Sequence, residues 1–209
     1  ATGSGKSTLV NLLPRFYDVT GGEILIDGID IRNWPLKKLR DMIGFVPQKG
    51  ILFSGTIESN LKYGDREASK EVVEEAAKTA QAEEFIDSKP EGFLTEIAQG
   101  GQNVSGGQKQ RLSIARALVK RAPVNVFDDS FSALDFKTDA KLRAALKDKT
   151  KDSVTILVAQ RISTIMNADQ IIVLDQGRIA GKGPHRELMK TCEVYREIAL
   201  SQLSEEELK

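Results

Sequence analysis

The sequence predicts an α/β fold in which a parallel sheet is interrupted by an inserted helical subdomain. Three patterns carry this prediction. Short apolar runs at residues 43–46, 124–127 and 155–159 read as strands; the second is followed directly by Asp128-Asp129, as a buried parallel strand ending at a site would be, and the third repeats its form. Between residues 53 and 99 the pattern changes to charged, Ala-rich helical stretches such as 69–80, with few strand signals. Finally, Gly-rich turns run directly into helices at residues 2–8 and 104–108, and ligands in α/β cores sit beyond the carboxyl ends of the strands.

The elements follow in order. After the first Gly-rich turn, Leu9, Leu12, Leu13 and Phe16 recur at helical spacing, so the loop opens a helix. Gly21-Gly22 marks a turn and residues 23–27 read as a strand. Pro47 stops the strand at 43–46. Residues 171–174, the turn Asp175-Gln176-Gly177 and Arg178-Ile179 read as a hairpin. The segment then becomes helical, with His185 as a helix-start residue, Cys192 as a structural thiol and Glu205-Glu206-Glu207 as a solvated helix end. These readings divide the chain into an α/β core at about 1–52 and 117–183, a helical subdomain at about 53–116, and C-terminal helices at about 184–209.

Composition sets bounds. Thirty Lys and Arg balance thirty Asp and Glu, which argues against a nucleic-acid footprint. A single Cys excludes an internal disulfide and suits a reducing cytosol. There are no repeats, and no apolar run is long enough to span a bilayer.

Two motifs carry chemistry. Thr2-Gly3-Ser4-Gly5-Lys6-Ser7-Thr8 matches the P-loop pattern Gly-x-x-x-x-Gly-Lys-Ser/Thr, except that its first Gly would precede Ala1. Its glycines let backbone amides wrap phosphates, Lys6 reaches the β- and γ-phosphates, and the Ser7 hydroxyl ligates magnesium. The chain begins inside this loop. A P-loop needs a buried strand before it, so the sequence predicts one upstream. Without that strand, the 209 residues alone are expected to be unstable and to bind ATP weakly. The second motif is Val104-Ser105-Gly106-Gly107-Gln108, running into Lys109-Gln110-Arg111-Leu112-Ser113. A turn followed at once by a helix start aims several N–H groups and the positive end of the helix dipole at one point, which suits phosphate.

This second stretch resembles the signature motif of ATP-binding cassette (ABC) proteins, and the resemblance extends along the whole chain. Val124-Asn125-Val126-Phe127-Asp128 resembles the Walker B strand, although Asn125 is an odd polar entry in it; Asp128 is implied as a magnesium contact. Gln48 matches the Q-loop glutamine, a metal and γ-phosphate contact, and Ser132-Ala133-Leu134-Asp135 matches the D-loop, which crosses to an opposite cassette. The segments Phe45-Val46-Pro47-Gln48, Leu52-Phe53-Ser54-Gly55-Thr56-Ile57 and Thr95-Glu96-Ile97-Ala98-Gln99-Gly100-Gly101 look like exporter-type cassettes, with Gln99 at a commonly charged position. The resemblance implies a RecA-like P-loop core, an antiparallel β subdomain and an adenine-stacking aromatic upstream, ATP and Mg2+ as ligands, a transmembrane domain on the same full-length chain, and a place on the cytoplasmic face of the cell membrane. It also implies that Ser105, Gly106, Gly107 and Gln108 act on the nucleotide of a partner half-transporter.

Two departures fall on one composite site. Where active cassettes have Glu after the Walker B Asp, this chain has Asp129, and where the family's switch segment has His, it has Gln160. A carboxylate shorter by one methylene withdraws by about 1 Å, while a general base must lie within about 2.6–3.2 Å of its proton. Gln160 can donate a hydrogen bond but cannot carry a proton or charge. The pattern resembles the degenerate half of a heterodimeric exporter, in which Asp129, Gln160 and Gln48 serve a slow site and this chain's signature supports the partner's faster one. A fully active homodimeric exporter, a soluble ABC ATPase unconnected to transport, and a nucleotide-binding regulator without hydrolysis remain open readings at this point.

Overall fold

Parallel pairing of three strands organises the structure. In this computed structural model, which describes residues 3–203, the chain runs α1 (Lys6–Asn11), β1 (Leu25–Ile26), β2 (Ile29–Asp30), α2 (Leu36–Asp41), β3 (Ile43–Val46), β4 (Gly55–Thr56), α3 (Ile57–Lys62), α4 (Lys70–Thr79) and α5 (Glu83–Asp87). It continues through β5 (Glu96–Ile97), α6 (Gly106–Val119), β6 (Val124–Asp128), α7 (Phe136–Lys149), β7 (Val154–Val158), α8 (Ile162–Ile165), β8 (Ile171–Asp175), β9 (Arg178–Gly183), α9 (His185–Thr191) and α10 (Glu193–Gln202). Thr2 and the acidic Glu205-Glu206-Glu207 lie outside the described residues.

The central sheet has the order β3-β6-β7, all parallel, with Val46 opposite Phe127 and Phe127 opposite Leu157. Alternation along β6 decides its burial. Val126 packs on one face with Val10, Ile31, Leu39, Ile43 and Val158, while Phe127 packs on the other with Val46, Leu112, Ile114 and Leu142. A strand covered on both sides has to read as a near-continuous apolar run, and this one does. Asn125, the polar exception, is satisfied: its amide donates to the Ala122 carbonyl at 3.2 Å and to Ser153 Oγ at 3.1 Å, joining the start of β6 to the turn before β7.

The segment from β4 to α6 is held by helix caps and one half-buried cation. Thr56 and Ser59 form a capping box at α3, and Ser105 and Gln108 form another at α6. Along α4, Val73, Ala76 and Ala77 face inward at helical spacing. Arg116 of α6 donates to the Asn60 carbonyl (2.8 Å), to Asn60 Oδ1 (2.9 Å) and to the Ile51 carbonyl (2.8 Å), and its guanidinium lies over the Phe53 and Tyr63 rings. Asn60, fully buried, in turn accepts from Phe53 N–H and donates to the Phe53 and Thr56 carbonyls. One side-chain network thus fixes the loop from β3 to α3.

The C-terminal hairpin β8–β9 is antiparallel, with a bulge between Val173 and Leu174, and α9 and α10 cover it through Leu188, Cys192, Tyr195 and Ala199. His185 opens α9, as expected from the sequence, and its buried Nδ1 lies 2.8 Å from the Tyr195 hydroxyl.

The structure corrects three details of the sequence reading. The helix after the Gly-rich loop ends at Asn11, and its buried residue is Val10; Leu9 and Phe16, two of the residues read at helical spacing, are 45% and 49% exposed. Pro14 cannot extend an α-helix, so the apparent period runs past the helix end. Phe16 instead packs edge-on against Phe45 under Arg40. The strand expected at 23–27 shrinks to Leu25–Ile26, because Asp27 and Gly28, both at positive φ, form a tight turn into β2. The helical stretch also carries a β4–β5 antiparallel pair, too short to leave a period in the sequence.

The Arg116 network gives a prediction. Arg116→Ala is expected to lower the unfolding free energy by about 2–4 kcal/mol, since three charge-assisted bonds and two ring contacts go at once. Arg116→Lys keeps the charge but not the planar fork and should recover less than half of the loss in urea unfolding.

Candidate functional site

The carboxyl ends of β3, β6 and β7 lie side by side, and the sequence-predicted residues emerge there. Gly3 and Gly5 adopt φ values of +81° and +93°, with open space where a Cβ would sit, so the requirement at these positions is backbone conformation and not room. Gly5 caps α1, and Lys6 Nζ donates to Ser4 Oγ at 3.0 Å. The Ser7 hydroxyl donates to Asp128 Oδ1 at 3.0 Å, tying the first turn of α1 to the last residue of β6. Thr8 follows on the same short helix.

Asp128 is buried. Desolvation pushes its carboxyl above the ordinary range; the Ser7 hydrogen bond opposes this, Asp129 adds to it, and Lys6 opposes it. A buried carboxylate beside a serine hydroxyl is a set of hard oxygen donors, the kind Mg2+ takes together with phosphates and water. The donors present therefore fit the predicted metal.

Asp129 sits at φ +46°, in the left-handed region that Asp tolerates better than most residues. Its N–H donates to the Val158 carbonyl at 2.9 Å, and its Oδ2 accepts from two amides, Gln48 Nε2 at 3.2 Å and Gln160 Nε2 at 2.9 Å. The three predicted catalytic residues are thus one hydrogen-bonded cluster. They line a cavity of about 470 Å3 with Ser132, Thr164 and Gln202. Ser130, fully buried, braces this level by donating to the Val46 and Asp128 carbonyls.

The signature residues occupy a different place. Ser105 Oγ accepts from Gln108 N–H at 3.2 Å, while Gln108 Oε1 accepts from Ser105 N–H at 2.9 Å, so both side chains are spent on capping α6. Gly106 and Gly107 form its first turn. Among the described residues, no hydrogen bond of this group reaches Gln48, Asp128, Asp129 or Gln160. Asp135 has an internal role that the sequence did not reveal: its Oδ1 accepts from Thr138 N–H at 2.9 Å and caps α7, and that bond holds its carboxyl below the ordinary range. Sequence reasoning also missed Ser130 and Gln202, because a lone polar residue within or after an apolar run carries no pattern.

The raised Asp128 value has a stability consequence. The folded chain holds this proton more tightly than the unfolded chain, whose reference value is 3.8. The contribution is therefore full below that value and is lost as pH rises through the folded one. Asp128→Asn is expected to raise the thermal midpoint of the nucleotide-free, metal-free protein at neutral pH, and to flatten the fall in stability as pH rises above the unfolded value of 3.8. An unchanged midpoint would show that the buried charge is fully compensated.

Similarity to known proteins agrees with this geometry. The ABC transporter family profile matches residues 1–132. An uncharacterised ABC transporter ATP-binding protein of Mycobacterium tuberculosis is 50% identical over 205 residues, covering 97% of this chain and 35% of that protein. The ATP-dependent lipid A-core flippase of Chromobacterium violaceum is 44% identical over 205 residues, 98% of this chain and 35% of its own. The solved structure of a bacterial Atm1-family ABC exporter with ATP bound superposes with a TM-score of 0.94 at 43% identity, over 98% of this chain and 36% of that one. The chain thus spans about a third of the length of the relatives it matches. With a parallel α/β core, a glycine loop tied through Ser7 to a buried aspartate, and these relatives, the chain belongs to the ABC transporter family as a nucleotide-binding domain of the exporter type.

Proposed function

We propose that this chain is the ATP-binding cassette of a membrane exporter, carried on the cytoplasmic face and joined to a transmembrane domain on the same polypeptide. It binds ATP with Mg2+ and closes head-to-tail on a partner half-transporter. In this reading residues 2–8 wrap the phosphates, with Lys6 against their negative charge. Ser7 and Asp128 hold the metal, assisted by Gln48. Held there, Mg2+ would supply positive charge against the phosphates. Ser105, Gly106, Gly107 and Gln108 present the start of α6 to the partner's nucleotide, and Asp135 lies at the closing surface. Residues of about 1–52 and 117–183 form the nucleotide core, about 53–116 the signature-bearing subdomain, and about 184–209 the C-terminal helices.

The observation that carries the finer part of the reading is the Asp129 cluster. Hydrolysis needs a carboxylate that reaches and polarises a water. Here the acid is the shorter aspartate, and one of its oxygens is occupied by two side-chain amides. Gln160 donates to that oxygen and can still donate to a phosphate, but it carries neither a transferable proton nor a positive charge. The metal-side pair of Ser7 and Asp128, by contrast, has the family's residues in bonding contact. A site with this division binds and holds nucleotide while hydrolysing slowly. The capped α6 start is equipped to support hydrolysis in the other composite site. ATP favours the closed pair, and its loss lets the halves part, which is the motion a transmembrane domain converts into transport.

The test is turnover by the whole transporter, alone and with its partner, for the parent and for Asp129→Glu with Gln160→His. The double substitution is expected to raise hydrolysis in this site by about tenfold to a hundredfold, the scale of a 1 Å correction in base placement. Unchanged turnover would return the choice to the fully active homodimer, and turnover equal in the two preparations would favour it directly.

A further inference from the structure

The switch segment that carries Gln160 is held by a residue forty positions away. Gln202, the last residue of α10, donates from Nε2 to the Gln160 carbonyl at 2.8 Å and accepts on Oε1 from the Ile162 N–H at 2.8 Å. A single side-chain amide therefore spans the backbone between the end of β7 and the start of α8. Both bonds answer a local deficit. Arg161, the residue before α8, makes no side-chain cap, so the Ile162 N–H is one of the donors that a helix start leaves without an intrahelical acceptor. The Gln160 carbonyl lies in the non-helical, non-strand link.

The helix that carries Gln202 is packed. α10 is anchored by Tyr195 and Ala199 in the same apolar cluster that takes Ile162, with Ile198 and Leu203 packed against it. From the other side, Arg143 of α7 donates to the Ser163 carbonyl at 2.9 Å while its Nε is held by the buried Asp139 at 3.0 Å. The Arg161 guanidinium lies over the Phe136 ring. With its backbone fixed on both sides, Gln160 reaches Asp129 with its amide, and Gln202 lines the same cavity as both.

We propose that Gln202 is a positioning residue for the nucleotide site: it sets the height and direction of the Gln160 amide and makes α10 part of the site's frame. This rests on the reading that Gln160 faces the terminal phosphate. Gln202 itself touches neither the phosphate-binding loop nor the metal-side residues among the described hydrogen bonds.

The test compares the assembled transporter with Gln202→Ala, Gln202→Glu, Gln160→Ala and the Gln202→Ala/Gln160→Ala pair. Affinity is measured for ADP and for a slowly hydrolysed ATP analogue, and amide exchange is followed at Ile162. Gln202→Ala is expected to weaken the ATP analogue by about threefold to tenfold, the scale of one or two hydrogen bonds, with ADP unchanged. It should add nothing in the Gln160→Ala background, and the Ile162 amide should exchange faster. Gln202→Glu keeps the acceptor for Ile162 but loses the donor to Gln160. It should leave Ile162 protected and still weaken the ATP analogue.

Equal loss of ADP and ATP-analogue affinity, or an unshifted ratio in Gln202→Ala when Gln160→Ala does shift it, would overturn the positioning role. If Gln160→Ala leaves the ratio unchanged, the phosphate-facing reading of Gln160 fails and this proposal with it, whatever Ile162 exchange shows about the clamp.

Discussion

Everything at the site depends on the register of three parallel strands. Val46 lies opposite Phe127, and Asp128 lies opposite Val158. Two residues beyond the first pair, Gln48 and Asp129 come level, and the link after β7 brings Gln160 to the same height. Parallel strands leave their carboxyl ends on one edge, and both faces of β3 and β6 are covered. A shift of one residue in β6 would exchange Val126 with Phe127 between the two apolar clusters. It would also turn Asp128 away from Ser7. The chemistry is therefore fixed by core packing, since the residues that set the register are the fully buried ones.

The second constraint is α6. Its first turn carries the signature, yet its length runs back along the chain's own site. Gln110 donates to the Pro47 carbonyl at 3.2 Å, beside Gln48, and Lys120 donates to the Ile43 carbonyl at 2.9 Å, at the start of β3. A Cβ at Gly50 would meet the Lys109 carbonyl oxygen at 2.8 Å, so the loop after Gln48 lies directly on the helix backbone. On the proposed reading, one rigid element touches both nucleotides of a closed pair, the partner's through its start and its own through the Gln48 loop. Movement of either would be felt as a displacement of the same helix, a physical connection between two sites made of packed backbone.

The sequence was most readable where residue type is dictated by a single local demand. The strands at 43–46 and 124–128 show as apolar runs because both faces are covered, and 154–158 shows as one although its first residues are exposed. The glycine loop is legible because Gly3 and Gly5 occupy φ values that other residues resist. The hairpin at β8–β9 is legible because Gln176-Gly177 makes the turn. What stayed hidden depends on contacts between distant positions. Leu9 and Phe16 read as one helical period, but the helix ends at Asn11, before Pro14. Asp135 read as a D-loop residue reaching an opposite cassette, and no spacing showed that it also caps α7. Gln202 read as nothing at all, since no period or spacing marks a residue whose partners are 40 and 42 positions away.

The hydrogen bonding around Asp129 also bears on how such a site could lose activity without losing structure. A carboxylate removed from the end of β6 would leave the Gln48 and Gln160 amides, both on exposed residues, without the acceptor that joins them. Aspartate keeps that acceptor, stays compatible with φ +46°, and preserves the bracing of the strand ends by Ser130. Gln160 likewise replaces a family histidine with a group that still donates. On the proposed reading the two departures are compatible with one another and with the fold: Asp129 and Gln160 are hydrogen-bonded to each other, and each has lost reach or protonic capacity. Selection for a site that binds and closes, relieved of the need for fast hydrolysis, would accept these two substitutions before any that disturb the parallel register.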